Sequence, residues 1–64
     1  MIFKKGYIFQ DTKDNSKIKI IDNFSVRKRY YIRFKYLANN NIDYALRDDL
    51  LYFINKGVLK YVNE

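Results

Sequence analysis

Residues 24–36 alternate without a gap. The even positions are Phe24, Val26, Lys28, Tyr30, Ile32, Phe34 and Tyr36, and the odd positions are Ser25, Arg27, Arg29, Tyr31, Arg33 and Lys35. Successive side chains of a strand point to opposite faces, so a period of two predicts one apolar face and one basic face. Strands usually run about 5–6 residues, so thirteen is long. Lys28 interrupts the apolar set, and a break is expected at Arg27-Lys28-Arg29. Residues 16–26 and 29–37 then form an antiparallel hairpin, or a strongly bent pair.

The flanking segments supply the rest of a small sheet. Residues 3–10 read as a first strand, with Phe3, Lys5, Tyr7 and Phe9 on one side and Lys4, Gly6, Ile8 and Gln10 on the other. Gly6 inside it suggests a bulge or a close backbone approach. Residues 11–16 are turn chemistry, because Asp, Asn and Ser hydrogen-bond their own backbone. Residues 17–22 form a β-branched second strand around Ile18, Ile20 and Ile21. A polar turn at 38–41 leads to a short strand at 42–46. Asp48 is placed to cap a helix over 49–56, Asp49 suits its positive end, and Gly57 suits a left-handed residue after Lys56. Leu50, Phe53 and Ile54 share one face of that helix. Residues 58–62 form a last short strand or an extended tail. The expected core is Tyr30, Ile32, Phe34 and Tyr36 packed on Phe9, Ile18, Ile20, Leu50, Phe53 and Ile54. The expected fold class is mainly β (α+β): one compact domain over 1–64, a curled antiparallel sheet or barrel of four to five strands with one short C-terminal helix at about 48–57.

That order is carried by Lys4-Lys5-Gly6-Tyr7-Ile8-Phe9, the strands at 18–21 and 30–37, and the helix at 48–57. It resembles an SH3-like small barrel over nearly the whole chain, with a longer helix than such barrels usually carry. Lys, Asn, Ile, Tyr and Phe, all with A/T-rich codons, supply 36 of the 64 residues. In this the chain is similar to short accessory proteins of bacteriophages with AT-rich hosts. The resemblance implies a role in countering or redirecting host machinery, by inhibiting a host protein such as a defence enzyme.

Composition removes most catalytic classes. A 64-residue chain buries only about 60% of its unfolded surface and cannot hold a doubly wound fold or a TIM barrel, which needs at least about 200 residues. His, Cys and Trp are absent, so there is no disulfide, thiolate nucleophile, imidazole base or His/Cys zinc site. The acids are Asp11, Asp14, Asp22, Asp43, Asp48, Asp49 and Glu64, and helix capping accounts for the one adjacent pair. Gly6 and Gly57 are too far apart for a phosphate loop. A non-enzymatic module without cofactor or metal is expected. No apolar run reaches the 18 residues of a membrane helix, and the start lacks a signal-peptide pattern, so no membrane partner and a cytoplasmic location are expected.

Charge points to a partner. The net charge is +6, and residues 1–40 hold ten cations against three anions. Arg27, Arg29, Arg33 and Lys35, with Tyr31 among them, sit about 6.6 Å apart along one strand face. Such a row can track phosphates while Tyr31 stacks on a base, and Lys17 and Lys19 on the next strand widen it. The expected ligand is a nucleic acid or nucleotide. Neutralising four duplex phosphates predicts a salt slope near −3.6, about 150-fold weaker binding from 50 to 200 mM salt. Two alternatives stand beside it. One is a protein partner, with exposed Tyr52 and Tyr61 joining the arginines as anchors. The other is a plain solvated face, since like charges at about 6.6 Å in water repel by only about 0.6 kcal/mol. A homodimer is also expected of small scaffolds that lack disulfides and metals.

Overall fold

The computed structural model describes residues 3–62; Met1, Ile2, Asn63 and Glu64, and with Glu64 one of the acids named above, lie outside them. The elements are β1 (Ile8–Asp11), β2 (Lys17–Val26), β3 (Arg29–Tyr36), β4 (Ile42–Leu46), α1 (Arg47–Asn55) and β5 (Leu59–Val62). The strands form one antiparallel sheet in the order β4-β3-β2-β1-β5. Four strands meander, and the fifth returns to the free side of β1. Among the described residues no ladder joins β4 to β5, so the sheet is open, and α1 packs on β3, β4 and β5. This is the mainly β fold with one short C-terminal helix that the patterning predicts.

The core lies on one face of the sheet. Phe3, Phe9, Ile18, Ile20, Ile32, Phe34, Leu50 and Leu59 are buried together, and Phe9 packs its ring on Phe3 at 5.4 Å between centroids. Ile32 and Phe34 follow the predicted alternation. Tyr30 does not: it is 60% exposed, because the far end of the β2–β3 hairpin runs past the core. Phe53 is also exposed, and Leu51 packs on the core in its place beside Leu50 and Ile54.

The largest departure from the sequence pattern is in β2. Ile20 pairs with Phe34, but Asp22 pairs with Arg33, so Ile21 is an extra residue in a β-bulge. Without it Ile18, Ile20, Asp22 and Phe24 would share one face, and the Asp22 carboxylate would enter the core. Burying an unpaired carboxylate is far costlier than interrupting one ladder step. The bulge turns Asp22 outward, where Arg33 Nη1 donates to its Oδ2 at 3.0 Å. Phe24 and Val26 turn outward with it.

Three local devices set the remaining boundaries. Gly6 has φ +91° in a turn at Lys5-Gly6, so the first strand begins at Ile8 rather than at Phe3, and Gly6 does not lie inside a strand. Asp11 and Asp14 organise the next turn by accepting from the backbone N–H of Lys13 and Ser16. The Ser16 N–H holds the Asp14 carboxyl below its ordinary pKa. Helix α1 ends in a Schellman motif: Gly57 at φ +77° donates to the Ile54 carbonyl, and Val58 donates to that of Phe53. Its start differs from expectation. Leu46 is the N-cap and makes no side-chain cap bond, while Asp48 and Asp49 lie inside the first turn, where they face the positive end of the helix dipole.

The β2–β3 hairpin closes through a two-residue turn, Arg27-Lys28, with φ values of 51° and 67°. Arg27 therefore lies in the turn and not in the strand row. Both residues occupy the left-handed region, which favours Asn-Gly and costs other residues about 1–2 kcal/mol each. The double substitution Arg27→Asn/Lys28→Gly should raise the melting temperature by about 4–8 °C, a net gain of about 1 kcal/mol after the flexibility of glycine is counted. Thermal unfolding followed by circular dichroism checks this, and an unchanged or lower midpoint would show that the turn is not strained.

Candidate nucleic-acid interface

Strand β3 runs without a bulge, so Arg29, Tyr31, Arg33 and Lys35 all face away from the core, over about 20 Å. The outward face of β2 adds Lys17 and Lys19 before the bulge, then Asp22 and Phe24 after it. Lys19 stands directly opposite Lys35. Strand β4 adds Ile42 opposite Lys35 and Tyr44 opposite Arg33.

Phe24, Tyr31 and Tyr44 form an aromatic cluster at the centre of this face. The centroid separations are 5.2 Å for Phe24–Tyr31, 5.9 Å for Phe24–Tyr44 and 5.7 Å for Tyr31–Tyr44. The interplanar angles are 11°, 19° and 25°. Three near-parallel rings at almost equal separations cannot be a column, whose outer pair would sit about 7–8 Å apart at van der Waals contact. They overlap like roof tiles and make one broad plate. Arg33 Cζ lies 4.7 Å from the Phe24 centroid, so its guanidinium is stacked as well as paired. Tyr44 is 55% exposed at the sheet edge. Asp43 Oδ1 accepts the Tyr44 N–H at 2.7 Å, occupying an edge donor beside the plate.

The sequence row thus holds for Arg29, Tyr31, Arg33 and Lys35, with Lys17 and Lys19 on the same side. Phe24 and Tyr44 are additions that the alternation concealed, since it assigns Phe24 to the core. The one local sign was Ile20-Ile21, two adjacent β-branched residues where strict alternation allows one.

The charges on this face are not equivalent. Arg33 is answered by Asp22. Arg29 and Lys28 share a hollow of about 440 Å³ with Asp48 and Asp49, which offsets their charge. Lys5, Lys19 and Lys35 line a hollow of about 460 Å³ that has no carboxylate in its wall among the described residues. Among the described residues, the lysine end is therefore the part of this face whose cations have no carboxylate beside them.

The two other tyrosines singled out from sequence lie apart from this face. Tyr52 is 57% exposed on α1 and contacts the Phe53 ring and Lys56 Nζ. Tyr61 on β5 packs against Tyr7 and Phe9 with half its surface exposed. Among the described residues no group of three or more Asp or Glu side chains is placed to hold a metal ion, and no helix is long and apolar enough to cross a membrane.

No family model matches this chain, and no curated protein or solved structure is significantly similar to it.

Proposed function

We propose that the protein is a binding module for single-stranded nucleic acid, taken up on the outward face of β2, β3 and β4. The observation that carries this reading is the Phe24–Tyr31–Tyr44 plate set within a row of cations. Tyr44, 55% exposed, gives the half-buried Phe24 and Tyr31 rings a solvent-open edge of use to a planar ligand, and every base has a planar face. The bases of a duplex are already stacked on one another, so an exposed ring at the edge of the plate favours an unpaired strand. Arg29, Arg33 and Lys35, about 13 and 6.6 Å apart along the strand, follow the backbone beside it. The strained turn adds Arg27 and Lys28 at the hairpin tip, cations kept where Asn-Gly would be more stable.

The test is a titration of fluorescent oligothymidylate against the parent protein and the Tyr31→Ala and Tyr44→Ala variants. Loss of one stacked base costs about 1–3 kcal/mol, so each variant should bind roughly 5- to 150-fold more weakly. Preference for a duplex, or equal affinity in all three proteins, would remove the plate from the binding site.

A protein partner is the second reading, and exposed Tyr52 beside exposed Phe53 is the observation that favours it. In that case Tyr52→Ala abolishes capture of one defined protein, while Tyr31→Ala leaves it intact. An anti-defence role against a host enzyme belongs to this reading.

A further inference from the structure

We propose that the hollow between Lys5, Lys19 and Lys35 binds a terminal phosphate group, the dianionic end of a nucleic-acid strand or of a mononucleotide. The proposal rests on the reading of the neighbouring plate as a base-stacking surface, and it names the part of the ligand that fills the adjoining hollow.

Three separate segments bring the lysines together. Lys19 on β2 and Lys35 on β3 are direct cross-strand partners on the outward face. Like charges in that position oppose sheet pairing. Lys5 joins them because Gly6, at φ +91°, reverses the chain there. The Gly6 N–H donates to the Ile20 carbonyl and the Ile20 N–H donates to the Tyr7 carbonyl, both at 2.8 Å, so this turn is laced to β2 next to the bulge. Ile20, Ile21 and Ile42 complete the wall and supply no counter-charge. The arginines Arg29 and Arg33 have carboxylates near them, and among the described residues the three lysines have none in their hollow.

Sharing one hollow distinguishes these three lysines from a row that tracks a backbone. A phosphodiester offers one negative charge, whereas a phosphate monoester carries about −1.5 to −2 at pH 7. Three lysines lining one hollow match the second better. Ammonium is a compact point charge and can meet a phosphate oxygen without the directional demands of a guanidinium fork. Lys35 lies two residues from Arg33 and four from Tyr31 on the same face, about 6.6 and 13 Å away. A base on the plate and a strand end in the hollow are therefore within reach of one short ligand.

The experiment compares short oligothymidylates ending in 5′-hydroxyl, 5′-phosphate or 3′-phosphate, with thymidine monophosphate and inorganic phosphate as strand-free probes. Affinities come from fluorescence anisotropy, and the lysine Nζ resonances are followed by NMR. One phosphorylated end should bind about tenfold more tightly than the hydroxyl end at 50 mM salt, the gain of roughly one further neutralised charge. The advantage should shrink below about pH 6, where the second phosphate ionisation is lost. In Lys19→Gln/Lys35→Gln the ratio between ends should fall to about one, and Lys5→Gln should lower it in part. The double variant removes a cross-strand repulsion, so its melting temperature should not fall, and a lost ratio is then not a lost fold. Equal binding of all three ends, with no lysine shift from either strand-free probe, overturns the proposal even if strands bind. If hydroxyl-ended strands fail to bind but thymidine monophosphate shifts the three lysines, the strand reading fails and the hollow stands as a mononucleotide phosphate site.

Discussion

Reversing two charges on the outward face, Arg29→Glu with Lys35→Glu, should weaken binding of a single strand by at least about 60-fold at 50 mM salt. Each contact with a single-strand phosphate contributes a salt slope of about −0.7, so loss of two contacts alone accounts for that factor before repulsion is added. Both side chains stand on the solvent side of β3, and neither is part of the Arg33–Asp22 pair, so the fold should survive. Arg33 is the wrong residue for this test: it bonds Asp22 and stacks on Phe24, and its loss would disturb the plate as well as the charge. For the parent, four contacts at Lys19, Arg29, Arg33 and Lys35 predict a slope near −2.8, or about 50-fold between 50 and 200 mM salt. The variant slope should fall to about −1.4. A duplex ligand would instead give a parent slope near −3.6, so the salt titration also reports which form of nucleic acid is bound. Unchanged affinity and slope in the variant would make these cations ordinary solvated groups.

Phe9→Ala should leave most of the chain unfolded at 25 °C. Phe9 is 1% exposed and contacts the rings of Phe3 and Tyr61, so it ties the N-terminal segment and β5 to the sheet. Truncating such a ring costs about 3–5 kcal/mol. A core in a domain of this size supplies roughly 3–5 kcal/mol in total, with no disulfide to add to it. The two quantities meet, and far-UV circular dichroism with urea titration reads the result directly. A cooperative transition with a midpoint close to that of the parent would mean that stability comes from elsewhere than this cluster. Phe53→Ala is the natural control, since Phe53 is 41% exposed against 1% for Phe9 and should cost less.

Most of the sheet was legible because its signals are local. Alternation at Arg29–Tyr36 predicts β3 and both of its faces. Asn and Asp clusters place the turns, and Gly57 places the end of α1, since each depends on backbone conformations that few residues favour. The helix start was less legible: Asp48 has the chemistry of a cap, yet β4 runs directly into α1 and leaves Leu46 in that position. The candidate site was half legible. Its cations follow from the odd positions of β3, but two of its three rings do not follow from any single strand.

The amphipathic hairpin, the element order and a positive charge concentrated in the first two thirds of the chain follow from residue order alone. Which face Phe24 joins, where Tyr44 lands, and which cations stand beside a carboxylate depend on how the strands pack together. The reason lies in the bulge at Ile21. Alternation is a property of one strand, whereas register is a property of two. The penalty of burying Asp22 sets the register of β2 against β3, and that shift carries Phe24 from the core to the plate beside Tyr31 and Tyr44.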